Sequence, residues 1–186
     1  GNKRRDSEQE TGNGHRGSFG RKNNEQPHDP TDPVVQLERQ VLQLAVQRPA
    51  LCGPEFDALS AAAFTVPVHG AVAGLVAGCG GVVSAGRARD WVAALIEAAP
   101  DDRARAFVTE LAVERLQVAG EPDEKYADMV LATVGELAAR REIAAIKAKL
   151  QRTNPEDDQP VYNKMFGDLV ALEQRRKWLL GRATGG

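Results

Sequence analysis

Cysteine is almost missing from this sequence. Cys52 and Cys79 are the only two, 27 residues apart and without CxxC spacing, so neither a disulfide framework nor a zinc motif is indicated, and a reducing cytoplasm is the compartment that fits. Histidine is nearly as scarce. His15 and His28 fall in a polar N-terminal stretch, and His69 has no cysteine or paired carboxylate at ligand spacing; a surface or rim position is expected for it. No excess of positive charge marks the chain, whose formal net charge is -2, so nucleic acid is not implied as the main partner, although local basic patches remain compatible with that value. The opening GNKRRDSEQE lacks the apolar core of a signal peptide, and the longest weakly polar stretch, Ala71 to Ala85, is too short and glycine-rich to span a bilayer. Period-two alternation is absent too, and no pattern recurs at a fixed interval, which argues against β structure and against a repeat array.

Two further motifs fall short of chemistry. Gly78-Cys79-Gly80-Gly81 lacks the lysine and hydroxyl of a phosphate loop and follows a helical run, so it reads as a helix terminator, with Cys79 a small buried hydrophobe. The acid pairs Asp101-Asp102 and Asp157-Asp158 stand where helices begin, and capping explains them without a metal. No catalytic residue and no cofactor is expected in this chain.

What is present is helical periodicity interrupted by proline and glycine. Residues 1–30 have Phe19 as their only large apolar residue and nearly balanced charges, the composition of a solvated interdomain linker; a tether at the start suggests that this is the C-terminal piece of a larger protein. Helical order begins at Thr31-Asp32-Pro33, with Val34, Leu37, Val41 and Leu44 at three- and four-residue spacing, and ends at Arg48-Pro49. Pro54-Glu55-Phe56 and Pro67-Val68-His69 open two shorter helices. The pattern returns from Arg87, with Trp91, Leu95 and Ile96 on one side, and Pro100-Asp101-Asp102 places proline and two acids in the first turn of a helix carrying Phe107, Leu111 and Val118. After Gly120-Glu121-Pro122 the longest run covers 123–152, Asn154-Pro155 closes it, and a last helix spans about Gln159 to Leu180.

The expected fold is all-α: a helical bundle over 31–139, followed by a long connecting helix and a C-terminal helical hairpin over 140–186, whose first arm continues the helix 123–152. Within that helix Tyr126, Met129, Val130, Thr133 and Leu137 form one stripe. The next apolar residues, Ile143, Ile146 and Leu150, are displaced around it by Arg140-Arg141-Glu142. Its first half is expected to pack on the bundle and its second on the last helix, whose Met165, Leu169, Leu172, Arg176 and Leu179 step like a coiled-coil seam. Charge divides along the same line: the segment from Glu97 to Lys125 carries eight acids and four bases, whereas the hairpin clusters Arg140, Arg141, Lys147, Lys149 and Arg152 with Arg175, Arg176 and Lys177. Trp178 shares a face with Ala171, Arg175 and Arg182, away from the seam, a composition suited to a protein interface.

Leu37 to Leu51, LERQVLQLAVQRPAL, resembles the opening helix of the C-terminal helicase-binding domain of bacterial replicative DNA primases (the DnaG family). Leu169 to Leu180, LVALEQRRKWLL, is similar to that family's last helix. The order of the pieces from about residue 33 to 182 matches as well, except in the segment 58–83. The resemblance implies a noncatalytic domain whose hairpin docks on the hexameric replicative helicase, with Leu172, Arg175, Arg176, Trp178 and Leu179 supplying that surface. It also implies a second site, for the acidic tail of single-stranded DNA-binding protein, to which Arg39, Leu42 and Arg48 contribute. Primer synthesis by a nucleotidyltransferase, and its zinc and magnesium or manganese, would belong to parts of the parent absent here, at a replication fork in the cytoplasm or nucleoid. Direct DNA binding is expected to be weak or absent. The rivals are a nucleic-acid-binding hairpin using the same arginines and an unrelated scaffold that self-associates through the Met165, Leu169 and Leu172 seam.

Overall fold

A computed structural model describes residues 28–154 and 158–185. The expectations for the linker at 1–27 and for Pro155 and Asp157 lie outside those residues. Seven α-helices and no strand occur among the described residues: α1 Pro33–Gln47, α2 Pro49–Asp57, α3 Pro67–Gly78, α4 Trp91–Ala98, α5 Asp102–Val113, α6 Glu124–Leu150 and α7 Gln159–Ala183. Short 3-10 turns at Ala61–Ala63 and Val82–Arg87 connect α2 to α3 and α3 to α4.

Five helices start at an aspartate whose carboxylate takes a first-turn amide: Asp32 from Val34, Asp90 from Ala93, Asp101 from Ala104, Asp123 from Tyr126 and Asp158 from Val161. Two start without a local side-chain cap, α2 at Pro49 and α3 at Pro67, where the missing proline N–H removes one orphan donor. α2 therefore begins a turn earlier than the expected Pro54. Its helical geometry breaks at Gly53, with φ 51, and resumes at Pro54. α4 starts at Trp91 rather than near Arg87, and α5 stops at Val113, leaving Val118 outside it.

α1 is the axis of the bundle, with Val41, Leu42, Leu44 and Ala45 fully buried and α2, α3, α4, α5 and α6 packed around it. The buried set of α6 differs from the expected stripe. Ala127, Val130, Leu131, Ala132, Val134, Gly135, Ala138 and Ala139 are buried, whereas Met129 is exposed. Small residues are buried here because α6 is covered on two sides, by α1 and α2 on one and by α7 on the other; close approach selects Ala and Gly where a lone amphipathic helix would use large side chains. Gly135 shows how tight the approach is, since a Cβ there would meet the Leu179 Cδ atoms at 3.2 and 3.3 Å.

α6 and α7 form the antiparallel hairpin, the most extensive helix pair in the fold. Met165, Leu169, Leu172 and Arg176 are half-buried along its seam and Leu179 is buried. Cross-links brace it, Lys147 to Glu173 at 2.8 Å and Arg176 to Glu136 at 3.3 Å. The root of the hairpin is anchored in the bundle. The Arg141 guanidinium donates to the Ala63 carbonyl, and Arg182 is bound by Asp128 and, at 3.2 Å, by Glu55.

Candidate docking surfaces

The first surface is a groove of about 890 Å³ between α1, α3 and α5. Adjacent residues of α1 build its chemistry by pointing different ways. Glu38, 1% exposed, turns inward and accepts bonds from the Thr65 amide and hydroxyl, each at 2.7 Å, and from the Val66 amide at 3.4 Å. It thereby fixes, from another helix, the Thr65-Val66 turn that leads into α3. His69 Nδ1 lies 2.9 Å from the same carboxylate. Burial pushes the Glu38 carboxyl up, but the bonds from His69, Thr65 and Val66 outweigh it and hold the group below its ordinary value of 4.5.

Arg39 turns outward. Its guanidinium is 5.1 Å from the Phe107 ring centroid, and Phe107 in turn stacks on His69 at 5.2 Å. Glu110 at 2.5 Å and Glu114 both bind it. Leu42, one residue group assigned to the same site, is 0% exposed and belongs to the core, while Arg48 is exposed beyond the end of α1. His69 is the clearest departure from expectation: at 3% exposed it is a buried, paired group, and its partner 31 residues earlier gave no local signal.

The second surface is α7. Of the five residues assigned to it, Leu179 fills the notch at Gly135, Leu172 and Arg176 line the seam, and Arg175 and Trp178 are exposed. Trp178 is 58% exposed, with the Arg182 guanidinium 4.5 Å from its ring centroid. A different flank of α7 exposes Phe166, Val170 and Leu180. With Lys177 they fall within an arc of about 80° at about 100° per residue, one step around from the seam. Spacings of four, seven and three residues carry that signal in the sequence, but the seam one residue out of phase masks it.

Reactive chemistry is damped elsewhere. Cys52 is buried, and burial with the nearby Asp57 pushes its thiol up to about 12. Gly80 and Gly81 end α3 at φ 91 and 77, and Asp57 accepts from the amides of Val82 at 2.8 Å and Val83 at 3.3 Å just beyond them, so the chain's own carboxylate occupies donors that could face a phosphate. Among the described residues no group of three or more His, Cys, Asp or Glu side chains converges as a metal site, and no helix is long and apolar enough to cross a membrane.

Comparison with known proteins assigns the fold a lineage. A family model described as "DNA primase DnaG DnaB-binding" matches residues 38–165. The chain is 40% identical over 160 residues to a DNA primase of Mycolicibacterium smegmatis, covering 84% of this chain and 25% of that protein. It is 38% identical to one of Streptomyces coelicolor, covering 77% and 23%. It thus spans about a quarter of the length of these relatives. A solved structure titled "Helicase binding domain of primase from Mycobacterium tuberculosis" matches at TM-score 0.65 and 37% identity, covering 81% of this chain and 93% of that one. The fold is therefore shared with a primase helicase-binding domain, and this chain belongs to the DnaB-binding domain family of the DNA primase DnaG.

Proposed function

We propose that this chain is the helicase-docking end of a replicative DNA primase, and that it couples primer synthesis by the rest of the parent to unwinding at the replication fork. The docking unit is the hairpin over 140–186, and the observation that carries the reading is the uncovered stripe of Phe166, Val170 and Leu180 on α7. Burying those side chains on a partner is favourable at roughly 25 cal/mol per Å², and the seam residues Leu172, Arg176 and Leu179 serve by holding α7 on α6. The matching family model is described as DnaB-binding, which favours a helicase subunit over a second copy of the chain as the occupant. The test is isothermal titration of a DnaB-type helicase with the wild type and with a Phe166→Asp, Val170→Asp variant of unchanged thermal stability. A loss of at least tenfold is expected, and equal affinities would refute the assignment.

We propose the acidic tail of single-stranded DNA-binding protein as a second partner, with Arg39 as its anchor; the support is that Arg39 lines the α1–α3–α5 groove together with the apolar Val35, Val66 and Val68. Glu110 and Glu114 already bind Arg39, so a tail carboxylate must compete with them. Weak, salt-sensitive binding that Arg39→Ala abolishes is the expected result; binding that survives this substitution would remove the site.

A further inference from the structure

The seam of α7 repeats every seven residues, which leaves its register on α6 ambiguous to apolar packing. Met165, Leu172 and Leu179 form one series, and Leu169, Arg176 and Ala183 the other. Seven residues turn a helix by about 700°, so each series stays on one face to within about 20°. Leu179 fills the notch at Gly135, but Leu172, the same residue type seven positions earlier, suits that notch once α7 slides by about 10.5 Å. The root pairs are degenerate in the same way. Arg182 is bound by Asp128 and Glu55, and the same slide puts Arg175 in its place. α6 ends at Leu150 and α7 starts at Gln159, and the intervening chain, which can span about 27 Å when extended, does not forbid the slipped pairing.

One contact does discriminate. Glu136 is 4% exposed, and its carboxylate takes Arg176 of α7 at 3.3 Å and Arg140 of its own helix at 2.9 Å. In the slipped register Leu169 would stand against Glu136, leaving a buried carboxylate with only the outlying Arg140. The other ion pair that slipping would break, Lys147–Glu173, is partly exposed, and such pairs contribute little.

We propose that Arg176, read against the buried Glu136, is a positioning residue that sets the register of α7 on α6. It thereby fixes where along the hairpin the Phe166, Val170 and Leu180 stripe stands. The pair selects one arrangement without adding net stability, since a buried ion pair roughly repays the desolvation of its charges. The register does not depend on the docking reading; only its use does.

Two variants of the full chain test this by nuclear magnetic resonance with labelled leucine methyls. In the wild type the Gly135 α-protons should show through-space contacts to the Leu179 methyls and none to those of Leu172. Leu169→Arg with Arg176→Leu keeps the composition and moves the guanidinium seven residues along the seam. The Gly135 contact is then expected to pass to Leu172, with the slipped form favoured roughly tenfold. Glu136→Met with Arg176→Leu removes the pair; it should melt within about 3 °C of the wild type and show two Gly135 signals, one for each leucine. Retention of the Leu179 contact alone in both variants would overturn the proposal. So would a neutral variant that no longer melts cooperatively, because the pair would then hold the hairpin together and not choose its register. A swapped variant that has slipped, yet binds a DnaB-type helicase as the wild type does, would support the register assignment and refute the docking stripe.

Discussion

The groove between α1, α3 and α5 and the exposed flanks of α7 both combine arginine with an aromatic ring, yet they differ in what their charges are doing. In the groove Arg39 is bound by Glu110 and Glu114, and Glu38 is bound by His69, Thr65 and Val66. These groups cross-brace three helices, and a ligand there must undo an existing contact. On α7 Trp178 and Phe166 are uncovered and Arg175 has no acid partner among the described residues, only the Ala58 carbonyl at 3.5 Å, so a ligand there breaks no ion pair of Arg175. The same residue types therefore brace the fold in one place and stand uncovered in the other, and the distinction lies in their partners.

Breaking the groove should have the largest effect. Glu38→Ala leaves two backbone amides, a hydroxyl and His69 without their acceptor inside the fold and is expected to cost about 3–5 kcal/mol, lowering the melting temperature by about 10 °C; calorimetry checks it. Leu179→Ala, which empties the notch at Gly135, should cost about 2–4 kcal/mol and loosen the hairpin root, read as faster amide exchange in both α6 and α7. The root is also why deletion after Gly167 does not isolate a docking arm: it would strip the cover from Leu131, Ala132 and Gly135.

Acid sharpens the comparison. The Glu38 carboxyl is held below its ordinary value of 4.5, so the stability it contributes is fully present above that value and is lost as the pH falls through the lower, folded value. The wild type should lose melting temperature on that limb, and Glu38→Gln should be less stable at pH 7 but decline less steeply below pH ~4.5. Parallel decline of the two proteins would show that the groove does not store this energy. The smallest effect is expected from Glu114→Gln, which frees part of Arg39 and should strengthen binding of an acidic tail peptide about threefold.

Much of this was legible along the chain because its signals are local. Aspartate caps and first-turn prolines marked the starts of α1, α3, α5 and α7, though not those of α2 and α4, and the 165, 169, 172, 176 and 179 seam was visible in its spacing. The buried face of α6 was not, because hydrophobicity points to Met129 whereas helix packing on two sides selects Ala127, Gly135 and Ala138. The Glu38–His69 pair was invisible for a different reason: it joins α1 to α3 across 31 residues, and nothing near either residue announces the other. On α7 the outer stripe was present in the spacing, but only the packing of α6 reveals which of two adjacent apolar faces is left over.

Hydrogen–deuterium exchange of this chain with and without a DnaB-type helicase tests the central claim most directly, because it reports both surfaces in one experiment. The account predicts slowed exchange along α7, strongest from Phe166 to Leu180, with the α1, α3 and α5 amides around Arg39 unchanged. Protection confined to the groove, with α7 exchanging as in the free protein, would contradict it.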